Sequence, residues 1–113
     1  MHEMSLMEGL LQVIEEQARE SGYERVHGVV LEVGLLANVE VEALRFAFDV
    51  VTRGTLAEGA ELEVQMPQGL GWCAECDQEV LIEARFDPCP VCSQGPVLLT
   101  KGSQILLKAL DVA

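Results

Sequence analysis

The sequence predicts an α+β fold: two helices on a small three-stranded mixed sheet, with a zinc-ribbon-like four-cysteine domain inserted before the last strand. Three observations lead there. The first 68 or so residues alternate helix-period and strand-period patterns in the order helix–strand–helix–strand. All four cysteines then fall in a turn-rich stretch with Gly69, Gly71, Asp87-Pro88 and Pro90. A strand-like apolar run, Gln104 to Val112, closes the chain.

The first helix is expected from Ser5 to Ser21. Ser5 and Glu8 have capping-box spacing, and Leu6, Met7, Leu10, Leu11, Val13, Ile14 and Ala18 recur at helical intervals. Gly22 suits the position just past the end, because it accepts a left-handed backbone. Arg25 to Gly34 reads as a strand, with Val29, Leu31 and Val33 alternating against Val30 and Glu32. Asn38 is a candidate N-cap for a second helix carrying Val41, Leu44, Ala47, Phe48 and Val51, with Gly54 as its stop. Ala60 to Met66 is the second strand, and Val80 to Phe86 and Val97 to Thr100 are strand candidates within the cysteine module. Lys101-Gly102 marks a second break. The domain boundaries that follow are 1–68 plus 101–113 for the first domain and 69–100 for the insert.

Half the residues are apolar, although 19 acidic and 7 basic residues give a net charge of −12. An acidic chain this apolar folds rather than staying disordered. Its few scattered basic residues form no patch for phosphates, which argues against nucleic acid and anionic membrane as partners. Cations and proteins with basic faces fit instead. No apolar run approaches the roughly 18–20 residues of a membrane span, and no signal peptide is evident, so a cytoplasmic location is expected.

Disulfides do not persist in a reducing cytosol, so the cysteines need another role. Cys73-Ala-Glu-Cys76 and Cys89-Pro-Val-Cys92 are two Cys-x-x-Cys knuckles, 12 residues apart. Together they complete a tetrahedral four-sulfur shell for Zn(II), a redox-silent ion suited to a closed structural site. The spacing alone does not separate zinc from an iron–tetrathiolate centre, and neither pair has the strand-to-helix context of a redox motif. So small a module needs the metal to fold. Four thiolates on Zn²⁺ carry −2, and Glu75, Asp77, Glu79, Glu83 and Asp87 stand against Arg85 alone, so this ribbon suits protein contact better than nucleic acid.

The chain opens Met1-His2-Glu3. A free terminal amine, the His2 backbone nitrogen and the His2 ring can chelate one ion in fused five- and six-membered rings, with Glu3 able to add an oxygen. That nitrogen-rich, near-planar set suits Ni(II) or Cu(II) better than Zn(II). It requires that Met1 be retained and its amine deprotonated; against it stands the general fraying of chain ends. His27, the only other histidine, reads as a surface or structural strand residue.

Met1-His2-Glu3-Met4-Ser5-Leu6, Glu32-Val33-Gly34, Glu42-Ala43-Leu44-Arg45-Phe46-Ala47-Phe48, Gly54-Thr55, Ala57-Glu58-Gly59-Ala60 and the paired Cys-x-x-Cys occur in this order. In them the chain resembles the HypA/HybF family of nickel-insertion proteins over essentially its whole length. The resemblance implies a metallochaperone rather than an enzyme, with a nickel-binding domain (1–68 plus 101–113) and an inserted zinc-binding domain (69–100). It maps the nickel ligands onto Met1, His2 and Glu3, and the zinc ligands onto Cys73, Cys76, Cys89 and Cys92. It further implies transferable Ni(II), structural Zn(II), a HypB-type GTPase partner and delivery to the [NiFe]-hydrogenase large subunit, with urease served by some members. The strongly apolar Gln104 to Asp111 segment leaves room for a homodimer. The rival reading is an acidic zinc-ribbon interaction adaptor with no nickel role. A hydrolase is disfavoured, because a closed four-thiolate shell has no position for water.

Overall fold

The computed structural model describes residues 2–113. Along them run α1 (His2–Ser21), β1 (Val26–Val33), α2 (Val41–Thr52), β2 (Glu61–Gln65), β3 (Gly69–Cys73), β4 (Gln78–Ile82), β5 (Val97–Lys101) and β6 (Ile105–Val112). They build two three-stranded sheets, ordered β2-β1-β6 and β4-β3-β5.

The first sheet is mixed, as the patterning predicts. A side chain on Gly28 would lie against Glu61 O on one side and Asp111 Cβ on the other, which places β2 and β6 about the central β1. Further along, the Leu35 N–H donates to Pro67 O at 3.0 Å, so β2 runs in the same direction as β1, with α2 as the crossover. Strand β6 runs the opposite way. The Ala113 N–H donates to Arg25 O at 2.9 Å, and at the far end the Gly34 N–H donates to Gln104 O at 2.9 Å.

On β1 the expected alternation holds, with Val29, Leu31 and Val33 buried. Met7 and Ile14 of α1, and Leu44, Ala47 and Phe48 of α2, are the buried positions of their helical stripes. Each of the larger side chains contributes on the order of 1.5–3 kcal/mol by leaving water. Thr52 is buried as well, and its hydroxyl donates to Phe48 O at 2.7 Å. Gly22 and Gly54 have φ of +82° and +75°, the left-handed stops expected of them.

Both expected N-caps differ. Helix α1 begins at His2, so Ser5 lies inside it and faces water, and the Ser5–Glu8 spacing becomes an ordinary same-face pair. Helix α2 begins at Val41 behind Glu40, which makes no side-chain cap bond. Asn38 instead takes φ +57°, using the tolerance for left-handed backbone that makes asparagine a turn residue.

The cysteine module contains one strand that the composition hides. Gly69-Leu-Gly-Trp-Cys, read as a break, is the central strand β3, paired antiparallel with β4 and β5. Its glycines serve close packing: a Cβ on Gly69 would collide with Leu36 Cδ1, and one on Gly71 with Val97 Cγ1. Strand β4 starts two residues earlier than expected and ends at Ile82, leaving Arg85 and Phe86 outside it.

By internal contacts the chain divides into two units. One comprises the chain to Leu31 with Val39–Val64 and Leu107–Ala113; the other comprises Glu32–Asn38 and Gln65–Leu106. The second unit has its own core of Leu36, Cys73, Val80, Ile82 and Cys89, against which Cys76, Cys92, Val97 and Leu99 pack. Leu36, from the loop after β1, therefore belongs to the cysteine module's interior. The Arg85 Nε–H fixes that loop by donating to Leu36 O at 2.9 Å. None of the described helices is long and apolar enough to cross a membrane.

Candidate metal centres

Cys73 ends β3, and Cys76 follows in the turn that leads into β4. Cys89 and Cys92 lie on the opposite knuckle, after the Asp87-Pro88 turn. The four sulfur atoms lie within 4.8 Å of one another. Cys73 Sγ is 3.7 Å from Cys92 Sγ, and Cys76 Sγ is 3.7 Å from Cys89 Sγ. A tetrahedral ion with metal–sulfur bonds of about 2.3 Å sets its sulfurs about 3.8 Å apart, so the four thiols are spaced for one ion. A pair of disulfides would need sulfur–sulfur distances of about 2.0 Å. Cys73 and Cys89 are buried, whereas Cys76 and Cys92 are half-buried.

The electrostatics point the same way. The Cys89 thiol is lowered to about 6, chiefly because the Cys92 backbone N–H favours its thiolate, helped by the Val91 N–H at 3.4 Å. Cys92 is lowered by the backbone N–H of Gln94. Cys76 is pushed up to about 12 by its hydrogen bond with Cys92 and by burial. Cys73 has the Cys76 N–H favouring its thiolate, but burial and the contacts with Cys89 and Cys92 outweigh it and raise the thiol. Four anions this close need a cation: protein dipoles favour two thiolates, and a metal ion held by the four cysteines would supply the charge for the other two.

The second candidate lies at the start of α1. Met1, assigned to it from the sequence, lies outside the described residues. His2 is exposed and opens the helix, where backbone N–H groups have no intrahelical acceptor. The Glu3 carboxylate is held below its ordinary range by its own backbone N–H and by that of Glu40. The Glu40 N–H donates to Glu3 Oε2 over a long 3.4 Å. The fold thus brings the starts of α1 and α2 together and places a second acidic residue, Glu40, beside Glu3. Sequence reasoning missed Glu40, because nothing in a 37-residue separation signals that contact. His27 is exposed on β1, and among the described residues the cysteine quartet is the one group of three or more His, Cys, Asp or Glu side chains close enough to share an ion.

Fold and site define a class: a small two-unit α+β protein with a metal-binding four-cysteine module. A family model described as "Hydrogenase/urease nickel incorporation, metallochaperone, hypA" matches residues 1–112. A hydrogenase maturation factor HypA from Azotobacter chroococcum is 50% identical over 112 residues, covering 99% of both chains. One from Acidithiobacillus ferrooxidans is 48% identical over the same length and coverage. The solution structure of the Ni metallochaperone HypA from Helicobacter pylori superposes with a TM-score of 0.70 at 20% identity, covering 97% of this chain and 96% of that one. A second HypA solution structure gives 0.75 at 22% identity, covering 100% and 97%. The chain belongs to the HypA family of hydrogenase maturation metallochaperones.

Proposed function

We propose that this protein carries Ni(II) at its N-terminus and hands it on during [NiFe]-hydrogenase maturation, while a Zn(II) ion in the cysteine quartet is structural. The residues assigned are Met1, His2 and Glu3 for nickel and Cys73, Cys76, Cys89 and Cys92 for zinc. Residues 1–68 with 101–113 act as the nickel-binding domain and 69–100 as the zinc-binding domain. The protein works in the cytoplasm with a HypB-type GTPase and the hydrogenase large subunit.

The observation that carries this reading is the contrast between the two sites. Four sulfurs within 4.8 Å of one another, two pairs of them at 3.7 Å, can fill all four positions of one tetrahedral ion, so their ion stays. His2 is exposed at a helix start, where its backbone N–H has no helical acceptor, so its proton can be lost to water and the nitrogen can bind a metal. The helix dipole opposes a cation there; a deprotonated amide and the Glu3 carboxylate offset it. A site of this kind keeps positions open, so an acceptor can take the ion by ligand exchange. Geometry must supply the selectivity, because raw affinity follows the Irving–Williams order and favours copper.

Metal analysis and nickel titration of tag-free protein test this directly. The parent is expected to hold one zinc and to bind one nickel. His2→Ala should keep the zinc and lose most nickel affinity. Unchanged nickel binding in His2→Ala would leave the zinc-ribbon adaptor as the better reading.

A further inference from the structure

We propose that the outer face of the β4-β3-β5 sheet docks a partner protein through an apolar ridge flanked by lysine or arginine. Alternation along the strands sends Gly71, Cys73, Val80 and Ile82 to the metal-bearing interior. It sends Leu70, Trp72, Leu81 and Leu98 to the other side. Leu70 lies directly opposite Leu81, and Trp72 directly opposite Leu98, so the four make one continuous surface across three strands. Trp72 is 39% exposed, Leu81 54% and Leu98 72%. The solvent face of an antiparallel sheet ordinarily carries polar residues at such positions. A contiguous apolar patch that includes a tryptophan is the composition of an interface centre.

The charge around the patch selects its occupant. Glu79 stands opposite Trp72 on the same face, with its carboxylate accepting from Thr100 Oγ1 at 3.3 Å. Glu83 and Asp87 line the same hollow as Glu79 and Leu81, so the β4 side of the patch is acidic, while Lys101 stands opposite Leu70 on the β5 side. Arg85 already donates to Leu36 O. A second copy of this chain, at −12, would set Glu79 and its neighbours against their own kind. A partner with an apolar ridge and a cationic rim buries the patch and pairs with Glu79. This surface rests on the maturation reading above, since it needs a protein partner.

Trp72 is the only tryptophan, so docking reads out in its own fluorescence. The zinc-loaded protein is titrated separately with the purified HypB-type GTPase and the purified hydrogenase large-subunit precursor. One of them is expected to bind, to shift Trp72 emission to the blue and to weaken as salt rises. The double variant Leu81→Ser/Leu98→Ser, and separately Glu79→Lys, should weaken that complex about tenfold or more while keeping one zinc and the parent's nickel affinity. If the partner binds but both variants match the parent, this surface is wrong and the maturation reading stands. If neither partner binds the parent, both fall.

Discussion

At the scale of the residue, Glu3 combines a proposed ligand role with a visible structural one. Its carboxylate takes the Glu40 N–H and is held below its ordinary range by that bond and its own N–H. The two roles separate in Glu3→Gln, which keeps an oxygen for the Glu40 N–H but loses the charge. Nickel affinity is expected to fall by about tenfold, with helix content unchanged by circular dichroism. His2→Ala, which removes a chelate ring, should cost far more. The acid dependence follows from the same shift. Because Glu3 stays ionised to below its ordinary range, its protonation does not govern nickel release at moderate acidity. In the proposed site the terminal amine would, with a reference pKa of about 8. Nickel binding should therefore weaken as pH falls from about 8, well above the carboxylate range, and a titration by isothermal calorimetry at several pH values checks this.

At the scale of the element, Gly69 carries the clearest prediction. A methyl group there would collide with Leu36 Cδ1 and lie 2.7 Å from Ile82 O, a backbone atom that cannot swing away. Gly69→Ala is expected to destabilise the cysteine module by about 2 kcal/mol or more, seen as a lower urea midpoint in Trp72 fluorescence. The same glycine shows where the sequence stops being legible. Helices and strands that bury one regular stripe, such as Leu44, Ala47 and Phe48 or Val29, Leu31 and Val33, declare themselves by period. The quartet of cysteines declares itself by spacing, because two knuckles on one ion need local loops of fixed length. Strand β3 does not, since glycine has no side chain to show a period and its fitness here depends on Leu36 and Val97 approaching from distant parts of the chain. The caps fail similarly: Ser5 and Asn38 have the right chemistry, but where a helix starts is decided by tertiary packing. The contact between Glu3 and Glu40 is likewise a product of two helices meeting, not of any local pattern.

At the scale of the whole molecule, the division into two units makes metal removal selective. The first unit has its own apolar interior, including Met7, Ile14, Leu31 and Leu44. The second has a core of five buried residues, two of them metal-site cysteines. Chelating zinc should cost the module much of its stability, seen as a far lower urea midpoint in Trp72 fluorescence, while most helical signal persists. Without metal, the pH profile of the cysteine module follows from the thiols. Cys89 is depressed to about 6 from an ordinary 9.0, so its thiolate stabilises the folded form; that contribution is complete above about pH 9 and is lost as pH falls toward 6. Cys76 is raised to about 12, so its contribution is complete below about pH 9 and is lost as pH rises toward 12. The metal-free module should therefore resist urea best near pH 9. Zinc in the proposed site would remove the alkaline limb by holding all four sulfurs as thiolates, and would leave an acid limb in which protons compete for them. Urea midpoints read from Trp72 across pH 5–11, with and without zinc, should give a maximum near 9 for the metal-free protein and a plateau on the alkaline side for the loaded one. A metal-free profile that is flat from 6 to 9 would show that the Cys92 and Val91 amides do not hold Cys89 as a thiolate.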